Sequence, residues 1–393
     1  MRIALTLLSG IGYGGATYFR NLLPTLAAID QRNEYHCFVP DRHPLIASLR
    51  VSNVHFHEVV RERTSALERF RFEQLALPRE LRRLRIDLLY TAKNVAVFRA
   101  PCPQIIAIRN MEPFMYREFE NTWLLDVQSR VKWELTKRSI VRAAGIVAVS
   151  QAVRDAVVER FPDTAQEISV VYNGTPAVSL RATEGSEVIS SHDARDRHVP
   201  LRCARDDSPF LLSASKFVAY ANQLVLVEAY ARLVVQRPNA PPIWFAGGIH
   251  DARYFRRVQL RVSELQLTDR IRFLGLVPQG ELHRLMRRAT MFVFPSMCEA
   301  CPHTLLEGMA CGVPIAASDA PPMPELCGPA AAYFDPRNPE DIAATIERLL
   351  DDATLRNRLV ATGAERIHEF TWERTARGLV ETFSRIGHSA LIR

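Results

Sequence analysis

Residues 292–314 read FVFPSMCEACPHTLLEGMACGVP. The apolar run that closes at Pro295-Ser296 is of the kind a strand buried on both faces requires. A short loop holding Glu299 follows. Pro302 suits the first turn of a helix, where a missing amide costs nothing, and Gly312 suits its end. Val313–Ala317 is then a second apolar run. Strand, helix and strand in such quick succession form a parallel unit, and parallel sheets bind ligands at the carboxyl ends of their strands. Glu299 lies before the helix and Glu307 inside it, so the two carboxylates reach that end of the sheet at different depths.

The same alternation runs through the chain. Upstream, Ile3–Leu8, Tyr35–Pro40, Asp87–Thr91, Gln104–Ile108, Gly145–Ser150 and Ile168–Tyr172 are short apolar runs of buried-strand type, and Ala16–Ile29 has helical spacing. Leu67–Arg85 is also helix-like but contains Pro78, which must kink or break it. Downstream, Phe210–Ala214, Pro242–Ala246, Ile271–Leu274 and Met291–Pro295 read as strands, and Asn222–Val235 and Leu305–Ala310 as helices. Residues 179–208 are polar, charged and without period, which reads as a linker or exposed insertion. The expectation is an α/β protein of two facing Rossmann-like, doubly wound parallel-sheet domains, residues 1–178 and 209–369, with a cleft between them and a last segment over 370–393.

The 393 residues suffice for two cores. An apolar fraction of 48% with 24% charged residues excludes a disordered chain. No uncharged apolar run reaches the roughly 18–20 residues of a spanning helix. The net charge of +7 fits either ordinary surface charge with arginine preferred over lysine or attraction to an anionic partner, a phosphate-bearing substrate or a membrane surface. Aromatic residues are not interleaved with the basic ones as in a nucleic-acid binder, so no nucleic-acid partner is expected. Arg69, Arg71, Arg79, Arg82, Arg83 and Arg85 alternate with Phe70, Phe72, Leu75, Leu77, Leu81 and Leu84. That pattern fits either a helix lying on an anionic membrane or a core-facing helix with a solvated basic side. Seven cysteines without a secretion signal indicate a reducing cytoplasm. Cys298, Cys301, His303 and Cys311 lack the second ligand pair of a zinc module, and no metal site is expected.

Gly10, Gly12 and Gly15 stand between the first strand and the first helix and satisfy the dinucleotide fingerprint, with Asp41 after the second strand. An NAD-dependent oxidoreductase is therefore one reading, and a close-packed glycine turn another. In both, the amides of a helix N-terminus face the ligand side.

The stretch around Glu299 and Glu307 resembles glycosyltransferase family four, through Pro295, Ser296, Glu299, Pro302, Leu306, Glu307, Met309, Ala310, Gly312 and Pro314. Gly308 stands where the family has alanine. The likeness extends to Gly14-Gly15 in the first glycine loop, to Ala144–Ser150 with Arg154, to Val171-Tyr172-Asn173-Gly174, to Phe273-Leu274-Gly275 and to Phe370-Thr371-Trp372-Glu373. The resemblance implies the two-domain fold called GT-B, with the segment from Phe370 crossing back to the first domain. It implies a retaining transfer of sugar from a nucleotide diphosphate donor, UDP- or GDP-linked, to a carbohydrate or lipid-linked acceptor. No cofactor is implied beyond the nucleotide sugar itself. In this frame Glu299 faces the donor sugar and Glu307 the nucleotide ribose. Phe273 lies near the base, and the diphosphate meets the helix start at Cys301, Pro302, His303, Thr304 and Leu305.

Two departures stand out. The family's arginine and, five residues on, lysine are here Lys216 and Ala221, so one cation is kept as an ammonium and one is lost. The histidine and aspartate that commonly follow the fourth strand are here Arg109 and Asn110, neither a good proton acceptor at neutral pH. Lys216, Arg109, Asn110 and Glu299 are the expected catalytic set. The departures keep a second reading open, a pseudoenzyme that binds sugar nucleotides with little turnover. The expected location is the cytoplasm, with the basic helices as a peripheral contact at the inner membrane face.

Overall fold

A computed structural model of the chain describes residues 1–8, 13–61, 64–119, 123–175 and 208–391. Within these the chain divides into two compact units, Met1–Pro176 with Phe370–Arg393, and Ala177–Glu369. The linker expected over 179–208 falls, but for Ser208, outside the described residues, as do Gly10 and Gly12.

The first unit is built on a seven-stranded sheet: β1 (Arg2–Thr6), β2 (Glu34–Pro40), β3 (Val54–Val60), β4 (Leu88–Thr91), β5 (Gln104–Ile108), β6 (Gly145–Ala148) and β7 (Ile168–Val170). Their spatial order is β3-β2-β1-β4-β5-β6-β7, and every pairing is parallel. The second unit repeats the plan with β8 (Leu211–Ala214), β9 (Ile243–Ala246), β10 (Ile271–Gly275), β11 (Met291–Phe294), β12 (Ile315–Ser318) and β13 (Ala331–Phe334), in the order β10-β9-β8-β11-β12-β13. Strand order reverses between β1 and β4 in one sheet and between β8 and β11 in the other. A doubly wound sheet opens its ligand crevice at such a point.

The central strands are buried along their whole length, which is why they read as mainly apolar runs, broken by the buried Thr91, Gln104 and Ser213. The edge strand β3 (VHFHEVV) has one strand neighbour, and past Val54 every residue in it is partly or fully exposed. Its histidines and glutamate hide it from an apolar count. The alanine-rich β13 is short, at the other edge of the second sheet, and equally quiet in sequence. Helix Tyr13–Ile29 begins ahead of the expected Ala16, so Gly14 and Gly15 lie in its first turn and not in a loop. Pro78 does break the helical run, as expected. A π-turn over Phe72–Ala76 precedes helix Leu77–Arg83. The wider turn absorbs the missing amide and the ring's clash with the preceding carbonyl.

The last helix, Trp372–Leu391, belongs to the first unit. Its Trp372, Ala376, Leu379, Phe383 and Ile386 are buried in the same core as Ile3, Leu5, Leu23 and Tyr90. Thr375 Oγ1 donates to the Tyr172 carbonyl at 2.8 Å, and the Thr175 amide to the Phe370 carbonyl at 2.9 Å. Gly174 is required here: an added Cβ would lie 2.5 Å from the Trp372 amide nitrogen. Phe383→Ala is therefore expected to cost about 3–5 kcal/mol, a typical price for emptying a buried aromatic site. Removing 370–393 should unfold the first unit. Urea and thermal melts test both, and a truncated chain with an unchanged melt would show that the helix adds nothing to this core.

Candidate functional site

In the second unit the loops after β8 and β11 flank the point where strand order reverses, and they are bound to each other. The Met297 amide donates to the Tyr220 carbonyl at 2.8 Å. Ser296 Oγ lies 3.3 Å from that same carbonyl. Asn222, in the left-handed conformation, donates from Nδ2 to the carbonyls of Pro295 at 3.1 Å and Pro336 at 2.7 Å. Lys216 rises exposed from the β8 loop with its ammonium 5.2 Å from the centre of the Tyr220 ring. Its carbonyl accepts from Gln223 Nε2 at 3.0 Å. Gly247, after β9, presses on the same loop from behind. Its φ is 151°, and a Cβ there would fall 1.9 Å from the Ser215 carbonyl oxygen. Only glycine fits, and the β8 loop is held from both sides.

Glu299 receives a 2.9 Å hydrogen bond from Ser296 Oγ. Burial pushes its carboxyl pKa up, while the Ser296 hydrogen bond and the Lys216 charge pull it back down. Lys216 and Glu299 thus stand on two loops that are hydrogen-bonded to each other. Helix His303–Cys311 starts at Pro302 with no side-chain cap and ends at Gly312, which has the left-handed φ of 71°. Its open N-terminus presents partial positive charge to an anion. Gly308 is where the chain departs from the usual alanine, and a Cβ there would crowd the Phe292 ring at 3.2 Å.

Some expected residues have other occupations. The Leu305 amide donates to the Pro302 carbonyl at 3.2 Å and its side chain is buried, so Leu305 leaves the set of anion-facing groups. The Phe273 ring stacks on Phe245 and packs edge-on against Phe255, which makes it a packing residue of the β10 end. Cys298 and Cys301 are buried thiols without a disulfide. Ala221, where the second cation would stand, is 1% exposed. Glu307 is not a solvated helix residue: it is 4% exposed and accepts a 2.8 Å hydrogen bond from Gln279 Nε2.

In the first unit Asn94, beyond β4, clips the loop after β5. Its Oδ1 accepts from the amides of Arg109 at 3.0 Å and Asn110 at 3.2 Å, and its Nδ2 donates to the Asn110 carbonyl at 2.7 Å. The Arg109 guanidinium lies 3.6 Å over the Tyr18 ring, a cation–π contact. Tyr18 in turn hydrogen-bonds Tyr90 at 2.8 Å and meets Trp372 edge-on. Arg109 is therefore a half-buried, stacked side chain and not a freely exposed one. Asn110 Oδ1 accepts from the Glu112 amide at 3.0 Å. Nearby on the sheet rim, Lys93 pairs with Glu73, which is 2% exposed in the π-turn. Tyr18, Asn94, Lys93, Glu73 and Gln279 escape a motif search. The positions of Lys93 and Asn94 just past a strand end beside the strand-order reversal are the one sequence signal that could have found them.

The basic helices before β4 turn most of their apolar side inward. Leu77 and Leu81 are fully buried, with Phe72 and Leu84 packed on them, leaving Leu75 at 60% exposure beside the arginines. Among the described residues no helix is long and apolar enough to cross a membrane.

Two doubly wound parallel sheets, one in each unit, are the architecture of the GT-B fold. Residues 13–177 match the family model for glycosyltransferase family 4, and residues 202–366 that for glycosyl transferases group 1. The chain belongs to the family-four glycosyltransferases. A serotype-specific mannosyltransferase of Escherichia coli is 26% identical over 74% of this chain, and the match spans about a third of that relative, 33%. The O-antigen chain mannosyltransferase B of Escherichia coli is 33% identical over 38% of each chain. The crystal structure of Anabaena HepE in complex with UDP and glucose superposes with a TM-score of 0.68 at 19% identity, covering 98% of this chain and 100% of that one.

Proposed function

We propose that the chain is a retaining glycosyltransferase that moves a sugar from a nucleotide diphosphate onto a carbohydrate or lipid-linked acceptor. The observation that carries this reading is the meeting of the two loops that carry Lys216 and Glu299, hydrogen-bonded to each other at the strand-order reversal of the second sheet, beside an uncapped helix start and a buried Glu307. Breaking the sugar–phosphate bond leaves charge on a diphosphate, and preorganised cations and helix amides stabilise it as it forms. Lys216 and the amides at the start of helix His303–Cys311 supply these. Glu299, partly desolvated, stabilises the positive charge that develops on the sugar. Glu307 accepts hydrogen bonds from the ribose hydroxyls.

The acceptor belongs to the first unit, where Arg109, Asn110 and Lys93 gather at the strand ends. The mannosyltransferase relatives make nucleotide-activated mannose the first donor to try and a growing polysaccharide the first acceptor. Peripheral membrane contact, in this reading, rests on Leu67 and Leu75 between the arginines of Ala66–Arg83.

A thermal-shift series with UDP, GDP and their sugars tests the donor class, since a ligand of the folded state raises the melting temperature by mass action. Stabilisation by NADH and by no sugar nucleotide would replace this reading with the oxidoreductase one. Binding without turnover on any acceptor would replace it with the pseudoenzyme. Because Lys216 and helix amides meet the diphosphate, turnover is expected to survive excess chelator. Complete loss of turnover, restored by magnesium or manganese, would refute that expectation.

A further inference from the structure

A carboxylate that is 4% exposed cannot be oriented by bulk water. Both oxygens of Glu307 are approached from a single helix, Gln279–Arg288. Gln279 Nε2 donates to Oε1 at 2.8 Å, and His283 Nε2 stands 3.6 Å from Oε2, just beyond hydrogen-bond reach. Gln279 and His283 are four residues apart, so they share one face of that helix. The His283 side chain is 13% exposed, and its Nε2 is buried with no hydrogen-bond partner among the described residues. A carboxylate offers about four lone-pair directions. Gln279 takes one at Oε1, His283 stands beside Oε2, and the directions that remain suit donors from a ligand.

We propose that Gln279 and His283 are positioning residues: they fix the Glu307 carboxylate in the rotation that receives a vicinal diol. They thereby make the pocket select ribonucleoside over deoxyribonucleoside diphosphates. The proposal rests on the reading of Glu307 as the ribose ligand. It extends that reading to two side chains outside the motif that carries the family resemblance. Without the Gln279 amide the carboxylate turns among rotamers of similar energy, and the hydroxyls lose a preorganised partner. Without His283 the Oε2 side opens to water, which competes for the same oxygen.

The test is calorimetric titration with UDP or GDP, whichever binds the unaltered protein more tightly, and with its 2′,3′-dideoxy form. Hydrogen bonds from ribose to a buried, fixed carboxylate should favour the ribo form by about ten- to a hundredfold. Gln279→Met, which keeps the length and removes the donor, should cut that preference at least about fivefold, on the scale of one such bond, and His283→Ala, which removes a packed neighbour and no hydrogen bond, should cut it by about threefold. The loss should come from weaker ribo binding, with dideoxy affinity held within about twofold. His283→Gln, which refills the space beside Oε2, should recover part of the preference. A purely structural defect would weaken both ligands together and leave the ratio intact, and that result overturns the proposal. Glu307→Ala is the control that separates the two levels. If it abolishes the preference while Gln279→Met and His283→Ala keep it, the positioning role is wrong and the ribose reading stands. If Glu307→Ala also keeps the preference, the ribose reading fails and the positioning role falls with it.

Discussion

Lys216→Ala is expected to lower turnover with saturating donor by about a hundred- to a thousandfold, the usual cost of removing one transition-state stabiliser. The size follows from what surrounds it. Ala221 is 1% exposed and carries no charge, so in the proposed reading it gives the diphosphate no second cation there. The lysine stands on a loop whose backbone is held by Gln223 and by the close approach of Gly247 to Ser215, so its point of attachment is fixed beside the Tyr220 ring. Lys216→Arg should retain more turnover than alanine does, because charge is kept while the geometry changes. Steady-state assays at several donor concentrations separate turnover from binding. Wild-type turnover in Lys216→Ala would move the phosphate site away from the β8 loop.

The residues that were legible in advance are those whose environment is uniform. Strands buried on both faces, such as β9 and β11, are apolar throughout, and their boundaries follow from composition. The helix carrying Glu307 was legible because proline and glycine punctuate it at both ends. What escaped was decided by packing across sequence distance. The edge strand β3 has no such constraint on its exposed side and carries His55, His57 and Glu58. The burial of Glu307 depends on Gln279 and His283, brought alongside by helix packing that no local pattern announces. Arg109 could be read as a loop arginine because nothing nearby in sequence foretells the Tyr18 ring beneath it. Leu305 looked like an amide donor to phosphate, but the first turn closes on its own Pro302 carbonyl and uses that amide. Motif spacing gives the residue types that meet a ligand; it does not give the side chains that hold them still.

Glu299→Gln should lower turnover by about two to three powers of ten while leaving donor affinity nearly unchanged, since it removes a charge that matters only as the sugar becomes positive. Glu307→Ala should do the reverse and mainly weaken donor binding, because ribose contacts are alike in ground and transition states. The pH dependence gives a sharper check. Glu299 works ionised, and burial raises its pKa above the ordinary value of 4.5, so the acid limb of turnover should lie above that value. Two groups pull the pKa back down, the Ser296 hydroxyl through its hydrogen bond and Lys216 through its charge. Removing either must therefore raise it further, and the acid limb of Ser296→Ala should move to higher pH than that of the unaltered enzyme. Ser296 is buried, so a melting curve accompanies the assay to separate unfolding from titration. Glu299→Gln, which has no carboxyl to titrate, should lose this limb altogether. If Ser296→Ala leaves the limb in place or moves it to lower pH, the titrating group is not Glu299. The charge that stabilises the developing sugar cation must then come from elsewhere in the site.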